Sequence, residues 1–345
     1  MKPGKELKRG IFPRLNRQMP NPFWNNNEQR LRALWRLLIQ TFLITFPATV
    51  FGVLLSYITK FFQSNITPTA ASNSLIFFTD GGFLPIIILF FVVASVLLSG
   101  KFLDHRPFRD FGFHFNKLWW LDLVFGLFLG MILMCGIFII ELALGWIHLS
   151  GSFVVSSPGI SFLQGLIQSI LLFVCVGIYE ELYSRGYQLH NLAEGFNLPI
   201  IKPWLALILA YLASSAIFGG LHAGNPHATI LSTFNLTIAG LFLGLGYILT
   251  GELAISIGLH ITWNFFQGVI FGFPISGTTP IVSLVSIVQS GPDIWTGGSF
   301  GPEAGVLSLI AIAVGSCLTI LWVIKRTSQV KLITRLVHYP AEYQR

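Results

Sequence analysis

The 345 residues predict an all-α, polytopic membrane protein, on three observations. Hydrophobic residues make up 53% of the chain and charged residues 10%, with a mean hydropathy of +0.72, beyond the range of soluble domains. Eight apolar segments of about 17 to 30 residues are each long enough, at about 1.5 Å per residue, to cross a hydrocarbon core of about 30 Å. The basic residues fall almost entirely in one alternating set of the intervening loops. About eight transmembrane helices in one membrane domain account for the whole chain.

Residues 1–32 form a basic tail. Pro13, Pro20, Pro22 and Asn25 to Asn27 interrupt it, so it lacks the apolar core that follows the basic start of a signal peptide. It reads as a flexible cytoplasmic arm whose charges either report topology or touch anionic lipid. Apolar segments at 33–59, 83–99 and 118–147 supply the first three helices, within 33–147, and the short second one is where the count is most open. A core at 160–275 supplies four more, at 160–188, 203–221, 229–249 and 253–273. The last helix, at 304–324, lies within 303–345 and leads into a second basic tail.

Charge orients these spans. The arm to Arg36 holds nine Lys and Arg; Lys101, Arg106, Arg109 and Lys117 occupy the second loop on that side. Arg185 and Lys202 flank the next, five more follow from Lys325, and of the 21 basic residues only Lys60 falls on the opposite side. The positive-inside rule then places both termini in the cytoplasm. The net charge of +7 is a record of topology, and with no basic cluster on a soluble fold it argues against nucleic acid as a partner. Cys135, Cys175 and Cys317 all lie inside apolar spans, which argues for packing and against disulfides or a thiolate metal cluster. Gly-Leu-His occurs twice, at 220–222 and 258–260, too short a match to indicate a repeat.

Against this background three ionisable groups stand out. Glu180, Glu181 and Arg185 follow directly on residues 160–179, a run without a charge. Carboxylates at membrane depth are costly and usually face a bundle interior. Glu181 and Arg185, four apart with the acid first, can form an ion pair, which leaves Glu180, about 100° round the helix, without a local partner. Two histidines lie in similar surroundings. His222 closes the fifth segment, four residues after Phe218, and His260 lies four before Asn264 in the seventh, so each pair shares a helix face. Glycines precede both histidines and permit close helix approach. Plainer readings stand beside these: a histidine bonded to a carbonyl across a helix interface, Asn264 as interhelical glue, and Glu181 with Arg185 as a structural pair. Glu141 is a single acid in the third span, either structural or lining a cavity. His227, beside Pro226, reads as facing water and not metal.

A carboxylate in an apolar pocket can act as general base toward water. A histidine can position that water or carry its proton, and an asparagine with a neighbouring histidine can donate to an oxyanion. Glutamate and two histidines are equally a catalytic zinc donor set with one position left for water. The helical His-Glu-x-x-His motif is absent.

Glu180-Glu181-x-x-x-Arg185, Phe218-x-x-x-His222 and His260-x-x-x-Asn264 together, in this order and each on a membrane segment, resemble the three motifs of the CPBP intramembrane proteases. That family includes the type II CAAX prenyl endopeptidases and the Abi-type bacteriocin-immunity proteins. The resemblance covers mainly 160–275, and Phe102 to Phe115 followed by Trp119 to Gly130 resembles the stretch leading into the family core. It implies an intramembrane active-site cavity in which Glu180 activates water and His222 assists. His260 and Asn264 would stabilise the oxyanion or help hold a metal, with Glu181, Arg185 and Phe218 in support. No cofactor is certain; a divalent ion such as zinc would be held by Glu180, His222 and His260. The partners implied are the bilayer and a membrane-associated peptide or protein, prenylated or not, cleaved at the cytoplasmic side of the cavity. The expected location is the plasma membrane of a prokaryote. Alternatives are a catalytically silent immunity or scaffold protein, and a proton-coupled transporter using Glu180, His222 and His260 as a relay. Against the transporter, no inverted repeat with interrupted helices is visible.

The expected geometry contains one conflict. With the turn between the fourth and fifth spans at Gly195 to Pro199, His222 falls about 12 Å deeper than Glu180, and His260, near the Gly251 turn, falls shallower than both. Tilt, an interfacial stretch through Pro199 and Pro203, or a break at Gly219-Gly220 is needed to bring the three level.

Overall fold

The computed structural model describes residues 21–65, 83–157, 159–340 and 343. The first twenty residues of the basic tail, and Arg345, lie outside the described residues. Eight helical segments run alternately between two ends of a bundle: α1 (Ala33–Asn65), α2 (Leu84–Asp104), α3 (Lys117–Ala143), α4 (Phe162–Phe196), α5 (Pro203–Leu221), α6 (Ile230–Thr250), α7 (Ala254–Asn264) and α8 (Val306–Thr327). Seven are long and apolar enough to cross a membrane. The exception is α7, which continues only through a π-helical stretch, Phe265–Ile270, so the predicted seventh span is a short one.

Local chemistry explains the boundaries. The Asn116 side chain accepts the Trp119 amide at the start of α3, and Ser161 with Gln164 and Thr229 with Ser232 form reciprocal capping boxes before α4 and α6, each satisfying amides that lack helical partners. Pro203 opens α5, where a missing N–H costs nothing. The third span ends at Ala143, earlier than the sequence suggests, because Gly145 turns with φ 69°. Ile147 then begins a strand, β3 (Ile147–Val155), which pairs antiparallel with β4 (Val282–Gln289) across a bulge near Leu149. These strands and a second small pair, β1 (Trp24–Asn25) with β2 (Arg30–Leu31), depart from the purely helical expectation. The long pair caps one end of the bundle.

The opposite, basic end is held by buried charge. Glu194 accepts from Arg30 at 2.7 Å, from Arg36 at 2.8 Å and from Arg106, and Arg36 also donates to Asp104. Arg30 stacks 3.6 Å from the Tyr339 ring, joining the segment before α1 to the chain after α8. Arg30, Arg36 and Arg106, whose charges marked topology in the sequence, are therefore fixed within an ionic cluster and away from lipid headgroups.

Helices α3 and α7 pack closest in the interior. A Cβ on Gly126 would lie 2.4 Å from the Ile255 carbonyl, one on Gly130 2.6 Å from that of Leu259, and one on Gly258 2.4 Å from that of Leu123. Small residues let two membrane helices touch backbone to backbone, and the contact carries the strip of α7 that holds His260. Gly220, two residues before His222, meets nothing within 4 Å; its neighbour Gly219 makes the close approach, to Thr237 and Thr233 of α6.

The depth conflict is removed by where the helices end. α4 continues to Phe196, 16 residues past Glu180, and the chain stays non-helical until Pro203, 19 residues before His222. The difference of three residues is about 4.5 Å, not 12 Å. α5 also stops at Leu221, straight after Gly219-Gly220, leaving His222 as its cap. The turn before α7 lies inside the bundle. Leu253 donates its amide to the Gly112 carbonyl at 3.1 Å and packs on Gly186, six residues past Glu180. His260 stands seven residues beyond Leu253, so it reaches the level of Glu180.

Candidate active site

The π-helical stretch of α4, Leu182–Leu189, begins directly after Glu181, a distortion that often marks functional sites. Within it Arg185 turns back on its own helix: Nη1 donates to Glu181 Oε1 at 3.0 Å and Nη2 to the Gly240 carbonyl of α6 at 2.9 Å. Its guanidinium also lies 4.4 Å over the Phe218 ring. The same Glu181 oxygen accepts His260 Nδ1 at 2.8 Å from α7. Glu181 is therefore an anchor between two helices, sealed at 0% side-chain exposure.

Glu180 is placed differently. Its side chain is 24% exposed, with Oε2 3.9 Å from His260 Nε2. Together with His222, His260 and Asn264 it lines a cavity of about 280 Å³ between α4, α5, α6 and α7. Phe218 closes the set, its ring 4.8 Å from that of His222 and 6.3 Å from that of His260. The three motifs thus converge on one space.

Tautomers follow from the partners. His222 Nδ1 lies 2.8 Å from the Phe218 carbonyl, which can only accept, so Nδ1 carries the hydrogen and the Nε2 lone pair is left over. His260 Nδ1 donates to Glu181 by the same logic. Among the described residues the Asn264 side chain has no hydrogen-bond partner, and it lines the cavity with its amide open to whatever fills it. Among the described residues no three of His, Cys, Asp or Glu are grouped closely enough to hold a metal ion.

Residues 162–266, which carry all of these side chains, match the family model described as Type II CAAX prenyl endopeptidase Rce1-like. This stretch is thus similar to the CAAX-type intramembrane proteases. No curated protein and no solved structure matches it. The lip of the cavity is formed by Asn225, Pro226, Ser276 and Thr278, of which Pro226 and Thr278 are exposed, from the loops after α5 and before β4. The site therefore opens toward the strand-capped end and not toward the end of the basic segments, the side expected from the sequence.

Other charged positions divide sharply. Glu141 is fully buried on α3 with neither oxygen bonded, and it does not line the cavity. His227 is exposed, at φ 58°. Glu303, by contrast, does line the cavity yet gives no signal in the sequence, where a lone acid in a Gly- and Pro-rich stretch reads as a solvated turn. Burial raises its carboxyl to about 7.

Proposed function

We propose that the protein is an intramembrane endopeptidase in which Glu180 is the general base. The observation that carries this is the contrast between neighbours: Glu180 reaches the cavity, whereas Glu181 is spent on Arg185 and His260. A water held by Glu180 and the His222 Nε2 lone pair attacks the scissile carbonyl carbon while Glu180 takes its proton. The oxyanion is held by the Asn264 amide and, when its ring carries both protons, by His260 Nε2–H. The C–N bond then breaks, Glu180 returns the proton to the leaving amine, and the products are a carboxylic acid and an amine.

Glu180, His222 and His260 would also supply donors to zinc, whose chemistry would be to acidify a bound water. Their present spacing does not form a metal-binding group, so no step above depends on one. Much of the cavity wall is apolar, with Phe173, Val176, Leu236, Phe242 and Ile312 among its residues, which suits a lipid-modified or membrane-embedded peptide.

The test is cleavage by purified protein in detergent of a panel of farnesylated, unmodified and transmembrane peptides, with Glu180→Gln and Glu181→Gln in parallel. Removing a general base should lower the rate by about 10² to 10⁴-fold, with Glu181→Gln retaining more activity. Loss in Glu181→Gln alone would reassign the base, and no cleavage by the unmodified protein would favour a silent immunity or scaffold role. A chelator arm decides the metal dependence. We assign the basic end to the cytoplasm by the positive-inside rule; thiol labelling of single cysteines at each end from intact cells checks it.

A further inference from the structure

We propose that Glu303 is a positioning residue for this active site: it ties the helix carrying His260 and Asn264 to the loop that follows His222. This rests on the proteolytic reading for its effect on rate, but its geometry stands apart from that reading.

Glu303 lies just before α8, outside the family-matched segment, and is buried against the cavity. One carboxylate oxygen accepts from Gln267 Nε2, and the other from both the amide and the hydroxyl of Ser276. Each contact leads to the site. Gln267 is three residues beyond Asn264 in the π-helical continuation of α7, and it also donates to the Pro274 carbonyl at 2.6 Å. Ser276 passes its carbonyl to Asn225 Nδ2 at 3.1 Å, and the Asn225 amide returns to the His222 carbonyl at 3.1 Å. A continuous chain therefore runs from Asn264 through Gln267, Glu303, Ser276 and Asn225 to His222.

Ser276 and Gly277, at φ 46° and 84°, form the tight turn of a small bridge in which Ile275 and Thr278 exchange backbone hydrogen bonds of 2.8 and 2.9 Å, so Glu303 grips a preformed turn and fixes where it sits. The Gly277 amide bonds the Phe300 carbonyl at 2.7 Å. No like-charged neighbour disturbs the node. Its partners Gln267 and Ser276 are neutral, the ionisable groups sharing the cavity are Glu180, His222 and His260, and Asp293 lies on the adjoining turn. A buried carboxyl with three donors is a strong tether, and because burial raises it to about 7 the closed node is favoured by protonation and strained by ionisation.

The decisive experiment places spin labels at Ala223→Cys and Thr279→Cys, both exposed, after replacing Cys135, Cys175 and Cys317, and reads the distance distribution in detergent. Glu303→Ala should broaden the distribution at pH 5.5, where the unmodified node is closed, and lower the cleavage rate at least tenfold. In the unmodified protein the distribution should broaden as pH rises from 5.5 to 8.5, because the carboxyl titrates higher when buried in the node than when the loop opens it to water. In Glu303→Gln, which cannot titrate, it should not change across that range. If Glu303→Ala fails to fold, Glu303→Gln carries the test alone. A narrow distribution in Glu303→Ala, or the same pH response in Glu303→Gln as in the unmodified protein, overturns the proposal. Absence of cleavage by every form would sink the proteolytic reading and leave the tether to be decided by the distances.

Discussion

Replacing Arg185 with leucine isolates the anchor beneath the site. The guanidinium is 1% exposed and serves three partners: Glu181, the Gly240 carbonyl and the Phe218 ring. A charged donor to a buried carbonyl contributes about 1.5–3 kcal/mol, and a desolvated cation over a ring about 2 kcal/mol. Removing one member of a buried ion pair costs about 3–5 kcal/mol, because the other is stranded. These share one side chain and do not add, so a loss of about 4 kcal/mol is expected. Glu181→Leu/Arg185→Leu strands no charge and should cost clearly less than the sum of the two single changes. The assay is reversible unfolding in mixed micelles on titration with a denaturing detergent, read by tryptophan fluorescence. A loss below about 1 kcal/mol for Arg185→Leu, or a double variant equal to the sum of the singles, would refute the anchor.

Other expectations follow from the same contacts. Gly258→Leu forces a side chain onto backbone already 2.4 Å from the Cβ position and should abolish a monodisperse folded peak on gel filtration. Gly136→Leu, with nothing within 4 Å, should run as the unmodified protein does. Glu194→Ala leaves Arg30, Arg36 and Arg106 without their shared acceptor, and limited trypsin digestion should cut at Arg30 and Arg32 at least ten times faster while the 162–270 region stays protected. Glu303 titrates higher in the folded protein, about 7 against a usual 4.5, so its protonation stabilises the fold. That stabilisation is complete below about pH 4.5, is lost as pH rises through 7, and amounts to about 3 kcal/mol. Melting temperature measured from pH 5 to 8 should fall less in Glu303→Gln than in the unmodified protein, and equal slopes would contradict the assignment.

The candidate site was legible because it breaks the rule of its surroundings. Glu180, His222 and His260 are ionisable groups within or at the ends of apolar runs, and the i, i+4 spacing of Glu181 and Arg185 gave their ion pair directly. Their relative depth was not legible. It depends on where α4 stops and on a turn at Leu253 buried by Gly112 and Gly186, and both are settled by contacts between distant segments. The strand pair was missed for a similar reason: Val282–Gln289 is a mostly apolar run whose partner lies over a hundred residues earlier. The basic residues predicted topology but not their burial, because the acceptors Asp104 and Glu194 belong to other helices. Glu303 could not be read at all, since its role exists only once three loops meet.

The inward turn before α7 has a consequence for how a substrate arrives. Between Leu253 and the basic end lie the 105–116 loop and the chain after α8, where Ile333 donates its amide to Ile248 and Arg335 packs over Gly251. These segments cover that end and enclose a separate polar cavity of about 390 Å³ lined by Arg106, Asp110, His190 and Arg335, none of which lines the site cavity. On the proposed reading, a peptide bond reaches Glu180 sideways out of the lipid or down past the strand pair. The half-length of one helix thus leaves the lipid side and the strand-capped end as the approaches to the cavity.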